Sequence, residues 1–588
     1  MDNYIMAKNN LQKLELTWIG KGEEPKLEPR ILIENPEYSY GDPESENMLI
    51  HGDNLLALKS LEQDFAGKVK CIYIDPPYNT GAAFEHYDDN IEHSIWLDLM
   101  RQRLTSLKTL LKNDGFICVH IDDSEGHYLK LLLDEVFGRN NYLTTLYIRV
   151  RYPDKTLKQD MDFHKEIEQV HIYRKAYGAK PYLKEIDVSF EKFNFYFEEL
   201  SAGQEIELGG KKVVIFQKED YKILKGEGTE NGRKEIWATG SILDGNSSGR
   251  FFRDYLDGRY QEDGLGVLYK VYGIGDDKFD FRYFTGPQKD GATKGKYFQG
   301  VPIAQIENRN KKKTAPINNF YDLAGSFGNC RLEGGVDFRS GKKPEKLLQL
   351  ILTHFSKEGD WVLDSFLGSG STCASAHKMR RKWIGIELGE QVYTHCIPRF
   401  KSIIEGDHTG ISIDSNWKGG GGFKFYELAP SLLNKDKFDN WVISPQYNPA
   451  MLTAAMAKQE GFVFQPHKSV YWKQGRSSEQ DFIFTTTQFL TVEALDSIHD
   501  EMQPSESLLI CCKVFQKECK KKYPNITIKK IPQVLLGRCE FGKDDYNLNI
   551  VNLPPEEPDE DWDDFDGTDI STQEINTQEE DNQQLDLF

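Results

Sequence analysis

Cysteine is scarce in this chain and is not arranged in pairs. Its 588 residues hold nine, scattered from Cys71 to Cys539, with no C-x-x-C spacing. A secreted disulfide framework and a zinc ribbon are both disfavoured by such usage. Long apolar runs are also missing. No stretch approaches the ~20 apolar residues of a membrane-spanning helix, and no apolar run follows the lysines of the opening MDNYIMAKNNLQKLEL, so no signal peptide is expected. His164 and His171 have no partner at metal-ligand spacing, so no metal site is predicted. These absences describe a soluble cytoplasmic protein. With 39% hydrophobic and 12% aromatic residues, it has ample material for buried cores.

Positive charge is in deficit too. The net charge of −20, taken whole, argues against a nucleic-acid partner. It is unevenly spread, however. Residues 554–588 contain 14 acids and no Lys or Arg, and subtracting them from −20 leaves only −6 for the other 553 residues. The body is near neutral, so local basic patches can still meet a phosphate backbone.

The length predicts several domains at ~100–200 residues each. Residues 1–45 read as an N-terminal arm with few periodic apolar positions. Over 46–175, short apolar runs alternate with helical patterns: a strand at Val69–Ile74, a helix over 92–112 ended by Asn113-Asp-Gly115, a strand at Phe116–Ile121, and a helix over 127–137. Strand–helix alternation indicates a parallel α/β sheet. Over 176–330 that pattern gives way to glycine, aromatics and short strands. It resumes over 331–415, with a helix at 344–356 and strands at Asp360–Asp364 and Trp383–Glu387. The fold expected is one α/β sheet interrupted by an inserted module, then a C-terminal α/β or α+β unit over 416–550, and a disordered acidic tail over 551–588.

Two loops carry chemistry. The first is Ile74-Asp-Pro-Pro-Tyr-Asn-Thr-Gly81, directly after a strand. In open α/β sheets ligands bind outside the carboxyl ends of the strands. An exocyclic amine on a planar base has a delocalised lone pair and is a poor nucleophile. Asp75 can accept one of its hydrogens and the Pro76 carbonyl the other, drawing the nitrogen toward tetrahedral geometry. Pro76 and Pro77 fix φ and lack N–H groups, so the loop is rigid and offers acceptors, and Tyr78 can stack on the base. The bland alternative is an ordinary Pro-Pro turn.

The second loop is Asp364-Ser-Phe-Leu-Gly-Ser-Gly-Ser-Thr372, between a strand and a helix. Gly368 and Gly370 let a backbone approach a ligand closely, Ser371 and Thr372 open the helix, and Glu387 ends the next strand where an acid would meet ribose hydroxyls. The chain has no G-x-x-x-x-G-K, which favours a cofactor without a triphosphate. A tight structural turn is the alternative. Asp53, in His51-Gly-Asp-Asn54, either faces the cofactor or caps the helix after it. Arg339-Ser-Gly-Lys-Lys-Pro-Glu345, with Lys343 and with Pro344 at a helix start, is expected to line the cofactor site.

These motifs, in this order, resemble the β group of DNA amino-methyltransferases, and most of all the Mod subunit of type III restriction–modification systems. The resemblance spans most of 14–435 and includes Leu332–Glu345, Gly240–Gly249 and Asn416–Pro430. It implies a Rossmann-like sheet that binds S-adenosylmethionine, with Asp364, Phe366, Gly368, Gly370 and Glu387 at the cofactor. It also implies adenine N6 in duplex DNA as target, reached by base flipping, although hydrogen-bond logic alone allows cytosine N4. Its further implications are a homodimer, a Res helicase–nuclease partner and a target recognition domain at 176–330. Within that domain Arg282, Lys294 and Lys296, and then Arg309, Lys311, Lys312 and Lys313, are candidates for DNA contact. The terminal Gln584-Leu585-Asp-Leu587-Phe588 resembles the peptide by which bacterial proteins bind the replicative sliding clamp. Two rival readings are a solitary or other defence-system methyltransferase, and a catalytically silent recognition subunit.

Overall fold

The computed structural model describes residues 15–22, 26–78, 89–153, 163–186, 189–238, 247–307, 313–338, 341–535 and 541. The acidic tail, the clamp-like peptide Gln584–Phe588, and Arg309, Lys311 and Lys312 lie outside them; Lys313 opens a short strand, Lys313–Ala315.

Among the described residues the main sheet has eleven strands. In chain order they are β1 (Leu32–Glu34), β2 (Tyr40–Gly41), β3 (Met48–His51), β4 (Val69–Ile74), β5 (Leu111–Ile121), β6 (Tyr142–Arg149), β7 (Ile167–Arg174), β8 (Phe320–Asp322), β9 (Trp361–Asp364), β10 (Lys382–Glu387) and β11 (Gly422–Leu428). Across the sheet they run β1-β11-β3-β10-β9-β4-β5-β7-β6-β8, with β2 also on β11. Neighbours from β11 to β5 are parallel, whereas β7 is antiparallel to β5 and to β6.

Strand side chains alternate, and both faces are covered. Ile72, Ile74, Ile117 and Val119 pack with α1 (Asn54–Phe65), α2 (Asp89–Leu110) and α3 (Gly126–Leu133). Cys71, Tyr73, Phe116 and Cys118 pack with α4 (Glu345–Phe355), α5 (Ser371–Lys378) and α6 (Ile397–Ile404). Near-continuous apolar strands are what a sheet buried on both sides requires. Each fully buried Leu, Ile or Val contributes about 1.5–3 kcal/mol, so the middle strands form a rigid floor for the loops at their ends.

Four boundaries differ from the sequence expectation. The inserted unit is Pro181–Asn318, not 176–330, because Ala179 still packs in the main core and β8 pairs with β6. The N-terminal arm is part of the sheet: β1 and β2 both pair with β11, but strands of three and two residues carry no legible period. The cofactor half runs on past 415 to β11, since the glycines at 419–422 are a bend before a buried strand and not a linker. Finally, α2 ends at Leu110, and Asn113-Asp-Gly115 is an irregularity inside β5 that shifts its register with β4.

The insertion is an antiparallel sheet of eight strands, ordered 204–208, 211–216, 268–272, 281–285, 296–300, 233–237, 195–199 and 221–225. The segment after β11 forms a five-stranded sheet with helices Pro449–Gln459 and Val492–Glu501. Its core includes Ile31, Ala429 and Leu433 together with Ile483 and Cys511, so it packs on the end of the main sheet.

Candidate active site

The parallel strands deliver their carboxyl ends to one edge. Glu387 on β10 pairs in register with His51 on β3, and Asp364 on β9 with Gly385 on β10. Leu363 pairs with Ile72 on β4, so the chain leaves β9 through Asp364 and β4 through Asp75 on adjacent strands. The two loops that sequence reading singled out therefore border one crevice.

On the Asp364 side, backbone and carboxylates form a cradle. Phe366 N–H donates to Asp364 Oδ1 at 2.9 Å, and Gly368 N–H donates to Glu387 Oε2 at 2.7 Å. Glu387 Oε1 accepts from Gly389 N–H and Gln391 Nε2, both at 2.9 Å. Glu387 thus clamps the glycine turn, a role the sequence spacing did not reveal. Burial pushes the Asp364 carboxyl up to about 7, against the pull of its hydrogen bonds from Thr372 and Phe366. Burial also raises Glu387. Ser371 Oγ accepts from Arg399 Nη1 at 2.8 Å, which ties the start of α5 to α6.

The cradle suits the expected cofactor. A Cβ built at Gly368, φ +55°, meets no heavy atom within 4 Å, so the turn borders open space, and Ser365 Oγ is buried without a hydrogen-bond partner among the described residues. Two carboxylates beside such a turn match the ammonium and hydroxyl groups of S-adenosylmethionine. At Gly370, φ is +81° and a Cβ would lie 3.1 Å from Phe400 Cζ. Left-handed backbone costs a side chain roughly 1–2 kcal/mol. Gly370→Val is accordingly expected to weaken cofactor binding by about 10-fold, and Gly368→Val to weaken it by filling the open space; titration calorimetry measures both.

Asp53 is 5% exposed and caps α1, accepting from Leu56 N–H at 2.9 Å with Arg103 Nη2 at 3.5 Å. Of the two roles open for it, the geometry displays the cap.

On the Asp75 side the loop is pinned by Trp96, whose Nε1 donates to the Pro77 carbonyl at 2.9 Å. Pro76 is buried, and among the described residues nothing donates to its carbonyl. Tyr78 Oη donates to Asp75 Oδ1 at 2.8 Å. Burial, with Asp75 and Glu168 adding to it, pushes the Tyr78 hydroxyl well up, so it remains a donor. Lys343 Nζ lies 3.1 Å from Asp75 Oδ2, 3.3 Å from Glu168 Oε2 and 2.7 Å from Tyr78 Oη. Burial opposes the Lys343 charge, but Asp75 and Glu168 outweigh it and hold its pKa above the usual lysine value. Burial likewise opposes the charge of Glu168, and Lys343 and His120 hold that carboxyl well below the usual range. His120 Nε2 is 2.8 Å from Glu168 Oε2, and its Nδ1 is 2.7 Å from the Tyr73 hydroxyl.

Lys343, expected beside the cofactor, thus reaches into the D-P-P-Y loop, while Pro344 caps α4. Its neighbour Lys342 turns inward, donating to the carbonyls of Arg331, Glu333 and Val336. Glu168 was not found by sequence reading, because it arrives on antiparallel β7 without a motif. His120, near the end of β5, belongs to the same cluster.

In the insertion, Arg282, expected among the DNA contacts, is enclosed. It is 4% exposed, with Nη2 2.8 Å from Asp277 Oδ2 and Nη1 2.5 Å from Ser248 Oγ. A guanidinium enclosed and paired in this way is structural. Lys294 and Lys296 do line an open groove of about 660 Å³ with Trp237, and Lys296 Nζ sits 4.7 Å from the Trp237 ring.

Comparison with known proteins agrees with this geometry. The chain is 35% identical over 429 residues to the probable type III restriction-modification enzyme HindVI Mod subunit of Haemophilus influenzae, covering 67% of this chain and 55% of that protein. It is 27% identical over 422 residues to the type III restriction-modification enzyme EcoPI Mod subunit of Escherichia phage P1, covering 63% of this chain and 62% of that one. It therefore spans between half and two thirds of these relatives. A type II methyltransferase of Enterobacter cloacae, M.EcaI, is 27% identical over 349 residues, covering 58% of this chain and 66% of that protein. The family model for DNA methylases matches residues 69–397, which takes in both loops of the crevice and the whole insertion between them. The chain belongs to this DNA methylase family.

Proposed function

We propose that the protein methylates N6 of an adenine extruded from duplex DNA, with S-adenosylmethionine as donor, and serves as the modification and recognition subunit of a type III restriction–modification system in the cytoplasm. The observation that carries this reading is the adjacency of Asp364 and Asp75 at the ends of neighbouring parallel strands. S-adenosylmethionine would supply an activated methyl group. Asp364, Gly368, Gly370 and Glu387 would hold it, with Phe366, Ser371 and Thr372 shaping the turn. Asp75 accepts a hydrogen from the target amine and the Pro76 carbonyl accepts the other, which localises the nitrogen lone pair. Tyr78 stacks on the base. Orientation of two bound reactants is the main contribution of such a site.

Labelled-methyl transfer to mixed DNA, followed by identification of the modified base, tests the reaction. N6-methyladenine is the expected product; N4-methylcytosine would refute the adenine assignment. Lys294 and Lys296 are proposed DNA contacts in the insertion. A Res partner is a further proposal, supported by two relatives that are Mod subunits of type III restriction-modification enzymes; homodimerisation is another, and so is clamp binding by Gln584, Leu585, Leu587 and Phe588. Deleting 584–588 should abolish co-purification with the clamp; unchanged recovery would count against it. The likeness to M.EcaI, a type II methyltransferase, supports a setting outside type III systems; the second reading is a solitary or other defence-system methyltransferase without a nuclease partner, and the neighbouring reading frame decides between them.

Asp364 makes cofactor affinity depend on pH. Its carboxyl is raised to about 7, so below that pH it holds a proton that a cationic ligand must displace. Affinity should rise with pH by up to ~10-fold per unit below 7 and level off above, with Glu387 adding in the same direction. Calorimetry in two buffers of different ionisation heat should register proton release at pH 6. An affinity constant from pH 5.5 to 8 would refute this.

A further inference from the structure

Lys343 is coordinated as a bound ligand would be. Its ammonium carries three hydrogens and has three acceptors around it: Tyr78 Oη, Asp75 Oδ2 and Glu168 Oε2. Its side chain is only 9% exposed, so water is not a substitute partner. Two of those acceptors, Asp75 and Tyr78, are the groups that the proposed function assigns to the target base. An exocyclic amine and a lysine ammonium make the same demand on a carboxylate, N–H donors at hydrogen-bond distance. They compete for one seat.

Glu168 stands outside the D-P-P-Y loop, on β7, and has its own support. His120 Nε2 faces the same Oε2 that faces Lys343, and Tyr73 backs His120 from β4. An ammonium that leaves Asp75 therefore still has a carboxylate within reach and is not stranded in the crevice. Stranding is what makes truncation of one buried partner costly.

We propose that Lys343 occupies the target-amine seat on Asp75 in the resting enzyme, and that Glu168 is the positioning residue that takes the ammonium over when the base enters. The inference rests on the reading of Asp75 given above. It also explains why a second carboxylate lies beside the D-P-P-Y loop. Glu168 neutralises Lys343, which leaves the Asp75 charge for the amine as that nitrogen becomes cationic.

Glu168→Gln tests the handover in the full-length protein. The amide keeps an acceptor oxygen but loses the charge, so Asp75 becomes the stronger partner and Lys343 stays on it. Single-turnover transfer to a DNA substrate should fall about 10-fold or more with cofactor affinity unchanged. Adding Lys343→Met empties the seat, and transfer should recover about 3-fold or more over Glu168→Gln alone. Merely structural roles predict a further loss from the second substitution, not a gain. The handover is overturned if Glu168→Gln transfers at the wild-type rate, or if the double variant is no faster than the single one. Lys343→Arg decides the matter should Glu168→Gln not fold. Its guanidinium keeps the charge but grips both carboxylates through a rigid fork, so transfer should again fall about 10-fold, and a wild-type rate would overturn the proposal. Absence of transfer by the wild-type protein itself would instead sink the proposed function.

Discussion

Replacing Asp75 by alanine is expected to lower methyl transfer about 10²–10⁴-fold, the range of a positioned proton acceptor, while leaving cofactor binding largely intact. The two effects separate because Asp75 touches Tyr78 and Lys343, whereas the glycine turn is held by Glu387 and Arg399. The loop itself should survive, since Trp96 still anchors the Pro77 carbonyl. Asp75→Asn keeps one acceptor oxygen and loses the charge, so its loss should be smaller. Transfer of labelled methyl groups gives the rate, and calorimetry gives the cofactor affinity. Near-normal turnover by Asp75→Ala would remove the chemical role assigned to this loop. A parallel loss of cofactor affinity would mean that the two loops are not independent.

Both loops were legible in the sequence because each joins a strand to a short, unusual run of residues, and strand ends of a parallel sheet share one edge. The cluster around Lys343 was not. Lys342 and Lys343 are adjacent and identical in the text, yet one knots a surface loop and the other meets Asp75; only the direction of each side chain distinguishes them. Glu168 is one acid among many, and it reaches the crevice because β7 runs backwards beside β5. Arg282 misled for the opposite reason. A cation in the recognition domain was read as a DNA contact, but in a short strand, with Tyr283 on the opposite face, it is buried beside Asp277. The strands β1 and β2 and the glycine bend before β11 lacked any readable period, so the sheet was drawn too small at that edge.

Glu345→Ala is expected to be the most destabilising single change in the cofactor half, by about 3–5 kcal/mol, because it breaks a buried ion pair from one side. The carboxylate has no exposed surface. Its Oε1 lies 2.8 Å from Arg399 Nη2, its Oε2 lies 2.9 Å from Lys378 Nζ, and Ile411 N–H donates to Oε2 at 3.1 Å. Lys378 has a second partner in Asp407 at 2.6 Å and would remain paired. Arg399 would not. Among the described residues its other hydrogen bonds are to the Ser369 carbonyl, Ser369 Oγ and Ser371 Oγ, neutral groups of the cofactor turn, and the nearby Glu333 carboxyl, pushed up by burial to about 7, compensates its charge only in part. A guanidinium left in that state must draw in water or swing out, and either movement pulls on Ser369–Ser371. Cofactor affinity should therefore fall together with stability, unlike the outcome for Asp75→Ala. Glu345→Gln retains an acceptor and loses only the charge, so it should fall between wild type and alanine in both measurements. Denaturant unfolding monitored with and without cofactor reads the two effects at once. If Glu345→Ala lost stability but bound the cofactor as wild type does, the link from Glu345 through Arg399 to the glycine turn would be refuted.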